Sequence, residues 1–307
     1  MKVRVYGHTG TVGRQLYHWL AAGGKCNLQG KSLDREDYAT SDFADRFDYT
    51  DLAFLCLPTP TEMTDQKIDA IEQVCANLNP CRVIIRSTIL PGTTRRLSEL
   101  YPQHVFYHWP EFLSARTAQR DFISPQRHLV GTSGKAAEDF DQSDVGYWQA
   151  WIAPLLPRAS YGTNYVSFEE SEIIKYAHNV HGAMQVIFAN QLYDICQNAG
   201  AKYETVRDDL PDFGGVSRDV SRKYWNVWKD GERGYGGACF PKDVDAIYYW
   251  CRENGVQAEL IAGIKGANEL LRGAYRVRKT DSPMAGGVEE EEQPPEQCCE
   301  SENRPAE

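Results

Sequence analysis

Residues 2–24 read KVRVYGHTGTVGRQLYHWLAAGG, and this stretch decides the fold. The run KVRVY (2–6) is a short β-type segment that leads straight into Gly7-His-Thr-Gly10-Thr-Val-Gly13. The residues after it have helical spacing, with Leu16, Trp19 and Leu20 on one face, and stop at Gly23-Gly24. Strand, glycine turn and helix in that order are the setting a dinucleotide-binding turn requires. Glycines let the backbone approach a pyrophosphate, and the new helix presents free N–H groups and its positive dipole end. The spacing is GxxGxxG rather than GxGxxG, with His8 where one alignment puts the first glycine. By itself the turn fits both a nucleotide site, at Gly7, Gly10, Thr11, Val12 and Gly13, and an ordinary tight βα connection. Asp34 is the nearest acid to the position that holds ribose hydroxyls, but Lys31 precedes it, so the turn does not choose between NAD and NADP.

Further βα units follow. DLAFLCLP (51–58) is a continuous apolar run ending at Pro58, as a buried parallel strand reads. Residues 65–78 have helical period, with Ile68, Ile71, Val74, Cys75 and Leu78 on one face. CRVIIRST (81–88), HVFYHWPEF (104–112) and RHLVGTS (127–133) supply three more strands. Five strands alternating with helices predict a doubly wound parallel sheet, in which ligands sit beyond the C-terminal strand ends. Thr59, Thr61, Ser87, Thr88 and Glu111 all fall there.

The second half changes character. Residues 167–200 read as one long helix, with early acids suited to its N-terminal dipole and a terminating Gly200. Later helices are expected near 216–229, 241–254 and 256–275. After Thr280 there are nine acids against one base, in a segment rich in Pro, Glu, Gln and Gly. The net charge of −10 is therefore mostly the tail's, and the body, with 34 acids and 32 bases, is nearly neutral. Such a body offers no strong field to attract nucleic acid. The tail (280–307) is nearly free of large apolar side chains that could offset its ordering entropy and is expected to be disordered, with Cys298 and Cys299 as incidental thiols. No apolar run reaches the roughly 18 residues that span a bilayer, and the N-terminus has no signal-peptide core, so a cytoplasmic location with reduced cysteines is expected. His104 and His108 share a strand but have no evident third ligand, so structural or surface roles are expected and no metal.

The richest stretch is Arg233-Gly-Tyr235-Gly236-Gly237-Ala-Cys239-Phe-Pro-Lys-Asp243. A cysteine between a glycine-rich loop and a helix start suits a nucleophilic thiolate, because a helix N-terminus lowers thiol pKa and offers N–H donors. A buried, inert cysteine after a glycine turn fits the same residues.

This stretch resembles the cysteine signature of the UDP-glucose/GDP-mannose dehydrogenase family, and other segments are similar in the same order. Cys56-Leu-Pro58-Thr59-Pro-Thr61 resembles the family's strand-end motif near the cofactor. Ser87-Thr88-Ile-Leu-Pro-Gly-Thr93 is similar to its Ser-Thr-x-x-Pro-Gly-Thr turn, and Pro110-Glu111-Phe112-Leu113 to its Pro-Glu-Phe-Leu. Glu172-Ile-Ile-Lys175-Tyr-Ala-His-Asn179 is similar to its Lys-x-x-x-Asn helix, and the likeness extends over about residues 1–278. The resemblance implies a Rossmann-type NAD-binding domain (1–165), a smaller all-helical domain carrying catalytic residues (166–279) and the acidic tail. It implies oxidation of a nucleotide sugar's primary alcohol to the carboxylate in two hydride transfers to NAD, through a thioester on Cys239. Lys175 and Asn179, four apart and so on one helix face, would stabilise the oxyanion. Asp243 would hold Lys175 or a water, and Glu111 and Thr88 would assist the hydrolytic water. Phe112, Leu113, Tyr235, Gly236 and Gly237 join Glu111, Lys175 and Asn179 as expected substrate contacts. Without the resemblance, Lys175 and Asn179 read as an exposed helix pair.

Several features depart from the family pattern. Its members continue into another α/β domain that grips the nucleotide and sugar, whereas here the acidic tail follows. Gly13 and Cys56 are only 43 positions apart, and Ser114-Ala115 replaces a charged residue and Gly. A homodimer through the long apolar helix and a separate chain supplying the further domain are expected partners. Competing expectations are a single-oxidation β-hydroxyacid-type dehydrogenase and an idle remnant that binds NAD or a partner.

Overall fold

The computed structural model describes residues 1–31, 50–62, 64–114, 116–134, 142–209, 224–228 and 231–280. Asp34, Ala115, most of the helix expected at 216–229, and the acidic tail beyond Thr280 with its two cysteines lie outside the described residues. β1 (Lys2–Tyr6) runs between β2 (Asn27–Lys31) and β3 (Leu52–Leu55), parallel to both. β4 (Thr61–Glu62) and β5 (Asp65–Gln66) form a separate antiparallel hairpin. The main sheet continues through β6 (Arg82–Ile85), β7 (Val105–His108), β8 (His128–Thr132) and β9 (Thr163–Ser167). Its order is β2-β1-β3-β6-β7-β8-β9, and it is parallel except where β7 and β8 meet at His108 and Gly131.

Both faces of this sheet are covered, which is why its strands read as unbroken apolar runs. Val3, Val5, Leu52, Phe54 and Ile84 point to one side, where Leu16 and Leu20 of α1 (Thr11–Gly23) and Trp148 and Ile152 close the core. Tyr6, Ala53, Leu55, Val83 and Ile85 point to the other. They pack against Ile71 and Val74 of α2 (Asp69–Asn77) and Leu97 of α3 (Thr93–Leu100). The five expected strands are present, flanked by two more. β2 (NLQGK) and β9 (TNYVS) are polar edge strands, without the apolar run that marks their neighbours. The helical period expected from residue 65 starts only at Asp69, because Asp65 and Gln66 belong to the hairpin.

After α4 (Ala118–Ile123) and α5 (Gln142–Tyr147), β9 runs directly into α6 (Phe168–Ala199). Ser167 and Glu170 form a capping box at its start, and Gly200 ends it in the left-handed region at φ 69°. The first turns of α6 lie on β8. A Cβ on Gly131 would fall 2.9 Å from the Cβ of Ser171, so only glycine allows that approach. Beyond it, after α7 (Tyr203–Asp209), α8 (Phe240–Glu253) and α9 (Glu259–Thr280) pack on the later turns of α6. Residues 172–179 of α6 thus lie where the sheet meets the helices.

Candidate active site

Four strand ends and two helices converge. At the first, Gly7 takes φ 76°, and a Cβ there would fall 2.3 Å from the Cys56 carbonyl oxygen. A Cβ on Gly13 would fall 2.2 Å from the Gly7 oxygen, so both glycines seat the turn against β3 and α1. Gly10 has only the Gly7 oxygen near it, at 3.4 Å, and Thr11 is exposed with Val12 half-buried beside it. α1 begins with no side-chain cap and no acid in its first turn. Open space above Gly10 and uncapped N–H groups suit a pyrophosphate. The His8 ring takes a different place. It packs where a Cβ on Gly30 would come within 2.7 Å, with its centroid 5.1 Å from that of Tyr17.

The ends of β3 and β6 are laced together. Ser87 Oγ accepts from Leu57 N and donates to Leu57 O, and Thr59 Oγ1 donates to the Thr88 carbonyl at 2.7 Å. Gln66 Nε2 donates to the same carbonyl and to Tyr176 Oη, while its Oε1 accepts from Leu90 N. Thr61 Oγ1 donates to the Lys242 carbonyl, which hooks the hairpin to the head of α8, and Pro58 is exposed between them.

The acid–base groups form one chain. Glu111 follows β7, and its Oε2 accepts from Leu113 N at 2.6 Å. Its Oε1 lies 3.2 Å from Lys175 Nζ, which in turn donates to Asn179 Oδ1 at 3.4 Å. Asn179 Nδ2 donates to Asp243 Oδ2 at 2.6 Å, and Asp243 Oδ1 pairs with Lys242. Lys175, Asn179 and Asp243 are all buried. Asp243 therefore holds Asn179 and Lys242, and it is Glu111 that holds Lys175. Burial pushes the Glu111 carboxyl up, but Lys175, the Leu113 amide and Arg86 outweigh it and hold its pKa below the usual range. The Phe112 ring lies 5.2 Å from that of His178, one turn from Lys175.

Cys239 caps α8 and is exposed, one turn before Asp243. Its thiol pKa is raised, the opposite of what a helix N-terminus alone predicts. Desolvation, then the carboxylates of Asp243 and Glu111, outweigh Lys175 and Lys242. In the preceding loop Tyr235 is buried against Phe240, and its N–H donates to Asn268 Oδ1. Gly236 makes room for the Arg272 guanidinium, and Gly237, at φ 78°, has nothing within 4 Å.

Sequence reasoning missed Glu172, Tyr176, Gln66 and Arg86. Glu172 accepts from Gly92 N, Thr94 N and Thr94 Oγ1, fixing the head of α3 to α6, and burial raises its pKa to about 7. The spacing 172, 175, 176, 179 was a readable signal, since those positions share one helix face. Gln66 carries no such signal. His108 is buried, donor or acceptor to Ser171 Oγ at 2.8 Å, and burial drives its pKa down to about 3. His104 instead contacts the Cys75 carbonyl. Among the described residues no His, Cys, Asp and Glu group has the makings of a metal site, and no helix is long and apolar enough to cross a membrane.

A sheet wound on both faces, with an uncapped glycine turn after β1 and polar side chains gathered at its C-terminal ends, defines a dinucleotide-binding fold of the Rossmann class. The chain belongs to the UDP-glucose/GDP-mannose dehydrogenase family. Residues 27–144 match that family's NAD binding domain and residues 169–270 its central domain, and the cofactor is NAD. UDP-glucose 6-dehydrogenase of Rickettsia prowazekii (strain Madrid E) is 27% identical over 243 residues, covering 75% of this chain and 52% of that protein. GDP-mannose 6-dehydrogenase of Pseudomonas savastanoi pv. phaseolicola is 28% identical over 248 residues, covering 75% and 53%. The chain thus spans about half the length of the curated relatives it matches. In fold it is similar to a UDP-glucose dehydrogenase from the hyperthermophilic archaeon Pyrobaculum islandicum. That match has a TM-score of 0.68 at 20% identity and covers 88% of this chain and 68% of that one.

Proposed function

We propose that the protein is an NAD-dependent oxidoreductase that takes the primary alcohol of a nucleotide sugar to the carboxylate in two oxidations. The observation that carries this reading is the buried chain Glu111–Lys175–Asn179–Asp243 ending one turn from Cys239. The Gly7–Gly13 turn with Pro58, Thr59, Thr61, Ser87 and Thr88 would hold NAD, which when bound would supply the hydride acceptor for each oxidation. Lys175 and Asn179 hold the reacting oxygen, by charge and by hydrogen bond, as it becomes an alkoxide. At the aldehyde stage Cys239 Sγ adds to the carbonyl carbon, the thiol proton passes to the carbonyl oxygen to give a thiohemiacetal, and the same two residues hold that oxygen as its charge develops. The second oxidation leaves a thioester. Glu111 and Thr88 position the water that attacks it, releasing the acid and the Cys239 thiol. Asp243 acts through Asn179, fixing its amide. Phe112, Leu113, Tyr235, Gly236 and Gly237 shape the sugar subsite. The division into a cofactor unit (1–165) and a helical unit (166–279), a cytoplasmic location and a homodimer through α6 belong to the same reading. Exposed Ile173, Ile174, Phe188 and Ile195 on α6 support the dimer.

A second reading, one oxidation without covalent catalysis, has the raised Cys239 pKa behind it. Counting NADH per product acid with a panel of nucleotide sugars decides between them. Two NADH per acid, with acid release lost in Cys239→Ser, is expected. One NADH per turnover, unchanged in Cys239→Ser, selects the second reading, and no NADH with any nucleotide sugar rejects both.

A further inference from the structure

Gln66 lies in β5 and is only 7% exposed. Its Oε1 accepts from Leu90 N at 3.0 Å, and because a backbone N–H can only donate, the amide has one orientation. Nε2 then donates to the Thr88 carbonyl at 3.1 Å and to Tyr176 Oη at 2.9 Å. The Thr88 carbonyl also accepts from Thr59 Oγ1 at 2.7 Å, so both its lone pairs are used. What the amide adds over an apolar side chain of similar length is a fixed direction for the Thr88 peptide.

That direction matters because the fold does not use the Thr88 side chain. The hydroxyls of Thr59, Thr61 and Ser87, at the same strand ends, are all bonded within the protein. Thr88 is half-buried, and its hydroxyl has no partner among the described residues. Ile85 of β6 and His108 of β7 are register partners, so Thr88 and Glu111 each stand three positions past the same rung. Both are tied to α6 at consecutive residues, Glu111 to Lys175 directly and Thr88 to Tyr176 through Gln66. Tyr176 is 1% exposed and shares a buried cluster with Ala246 and Ile247 of α8, the helix that Cys239 caps. One helix therefore holds the free hydroxyl and the carboxylate in register, and packs on the helix that carries the thiol.

We propose that Gln66 is a positioning residue for release of the acid. It fixes the Thr88 peptide to α6 so that the Thr88 hydroxyl and the Glu111 carboxylate address one water at the Cys239 thioester. This rests on the function proposed above. In the step the water oxygen bonds to the thioester carbonyl carbon and the carbon–sulfur bond breaks. The proton lost by the water reaches the departing sulfur by way of Glu111, so no electron acceptor is needed. Gln66 acts on this step only through Thr88.

The test is stopped-flow measurement of NADH with the full chain, saturating NAD and UDP-glucose or GDP-mannose, joined to intact-protein mass spectrometry of quenched samples. Wild type should give two NADH per acid. Gln66→Met should give a fast phase approaching two NADH per active site, then a steady rate about tenfold or more below wild type. A sugar adduct should accumulate on its Cys239, with NAD affinity and the fast-phase rate within about twofold of wild type. Tyr176→Phe removes the α6 end of the link and leaves the Leu90 bond. It should lower the steady rate by about threefold with the fast phase kept, and it decides the matter where Gln66→Met does not fold. Fast and steady phases that fall together without an adduct would make Gln66 a stabilising residue only and overturn the proposal. The function and the positioning role fail separately. No NADH from wild type with either sugar rejects the function and the role with it. Two NADH per acid in wild type, with both variants hydrolysing as fast, rejects the role alone.

Discussion

Lys175 Nζ lies 3.2 Å from Glu111 Oε1, so a buried ion pair joins α6 to the end of β7 across 64 positions of sequence. Their side chains are 4% and 11% exposed, which removes most of the water that would screen the pair. The pair is also the hinge of the polar chain, because Lys175 continues to Asn179 and Glu111 to the Leu113 amide. A single substitution at either end therefore changes both the docking of α6 and the charge at the reacting oxygen.

Glu111→Gln should lower stability by about 3–5 kcal/mol, because it leaves the Lys175 ammonium buried without its counter-charge. The pKa of Glu111 is depressed, so its contribution is present above the ordinary carboxylate range and fades as pH falls through the folded value. Denaturant unfolding at pH 7 and again near pH 3 checks this. The gap between wild type and variant should be wide at pH 7 and narrow near pH 3. A gap independent of pH would remove the ion pair as its cause.

Glu172 titrates in the opposite sense. Its folded pKa of about 7 lies above an unfolded carboxylate, so stability is present in acid and declines as pH rises from about 4.5 to 7. That single group accounts for a decline of up to about 3 kcal/mol. Glu172→Gln should flatten this slope in unfolding experiments across pH 4.5–8. Glu172→Ala should lose about 1–3 kcal/mol at every pH, since Gly92 N and Thr94 N then lack their acceptor. An unchanged slope in Glu172→Gln would assign the pH dependence to another group.

These two carboxylates differ in how readable they were. Glu111 announces itself by falling just past an apolar strand, and Lys175 and Asn179 by their spacing of four. Glu172 was visible only as part of a helix face, because its partners on α3 come from a turn 80 positions away. β2 and β9 escaped because edge strands exchange half their burial for solvent and so carry no apolar run. The thiol of Cys239 was misjudged for a related reason. Its place at a helix start is written in the local sequence, but the burial and then the carboxylates that raise its pKa arrive by folding.

Gly131→Ala should be destabilising out of proportion to one methyl group. The new Cβ would meet Ser171 Cβ at 2.9 Å, the Ser167 carbonyl at 3.2 Å and His108 Cβ at 3.3 Å, none of which is a flexible side-chain end. α6 must move away from β8, and Lys175 moves with it. A loss of about 1–3 kcal/mol in chemical denaturation is expected. Gly146→Ala, inside α5 with nothing within 4 Å and no positive φ, is the control and should be neutral or stabilising by up to about 1 kcal/mol. Equal effects of the two changes would show that the helix does not seat on Gly131.

Cys239 should be a slow nucleophile in the free protein. Alkylation proceeds through the thiolate, and a raised pKa leaves little thiolate at neutral pH. Its rate of reaction with iodoacetamide, followed by peptide mapping to separate it from the other cysteines, should keep rising beyond an ordinary thiol's midpoint of about pH 8.5. Asp243→Asn removes one of the two negative charges that oppose ionisation, so the midpoint should shift down and the neutral-pH rate should rise. Glu111→Gln should act in the same direction and more weakly, since Glu111 is the smaller contributor. Lys175→Met should act in the opposite direction, because the ammonium favours the thiolate. A midpoint below pH 7 in wild type would mean that the helix N-terminus governs this sulfur, and a raised midpoint unmoved by Asp243→Asn would mean that burial alone raises it.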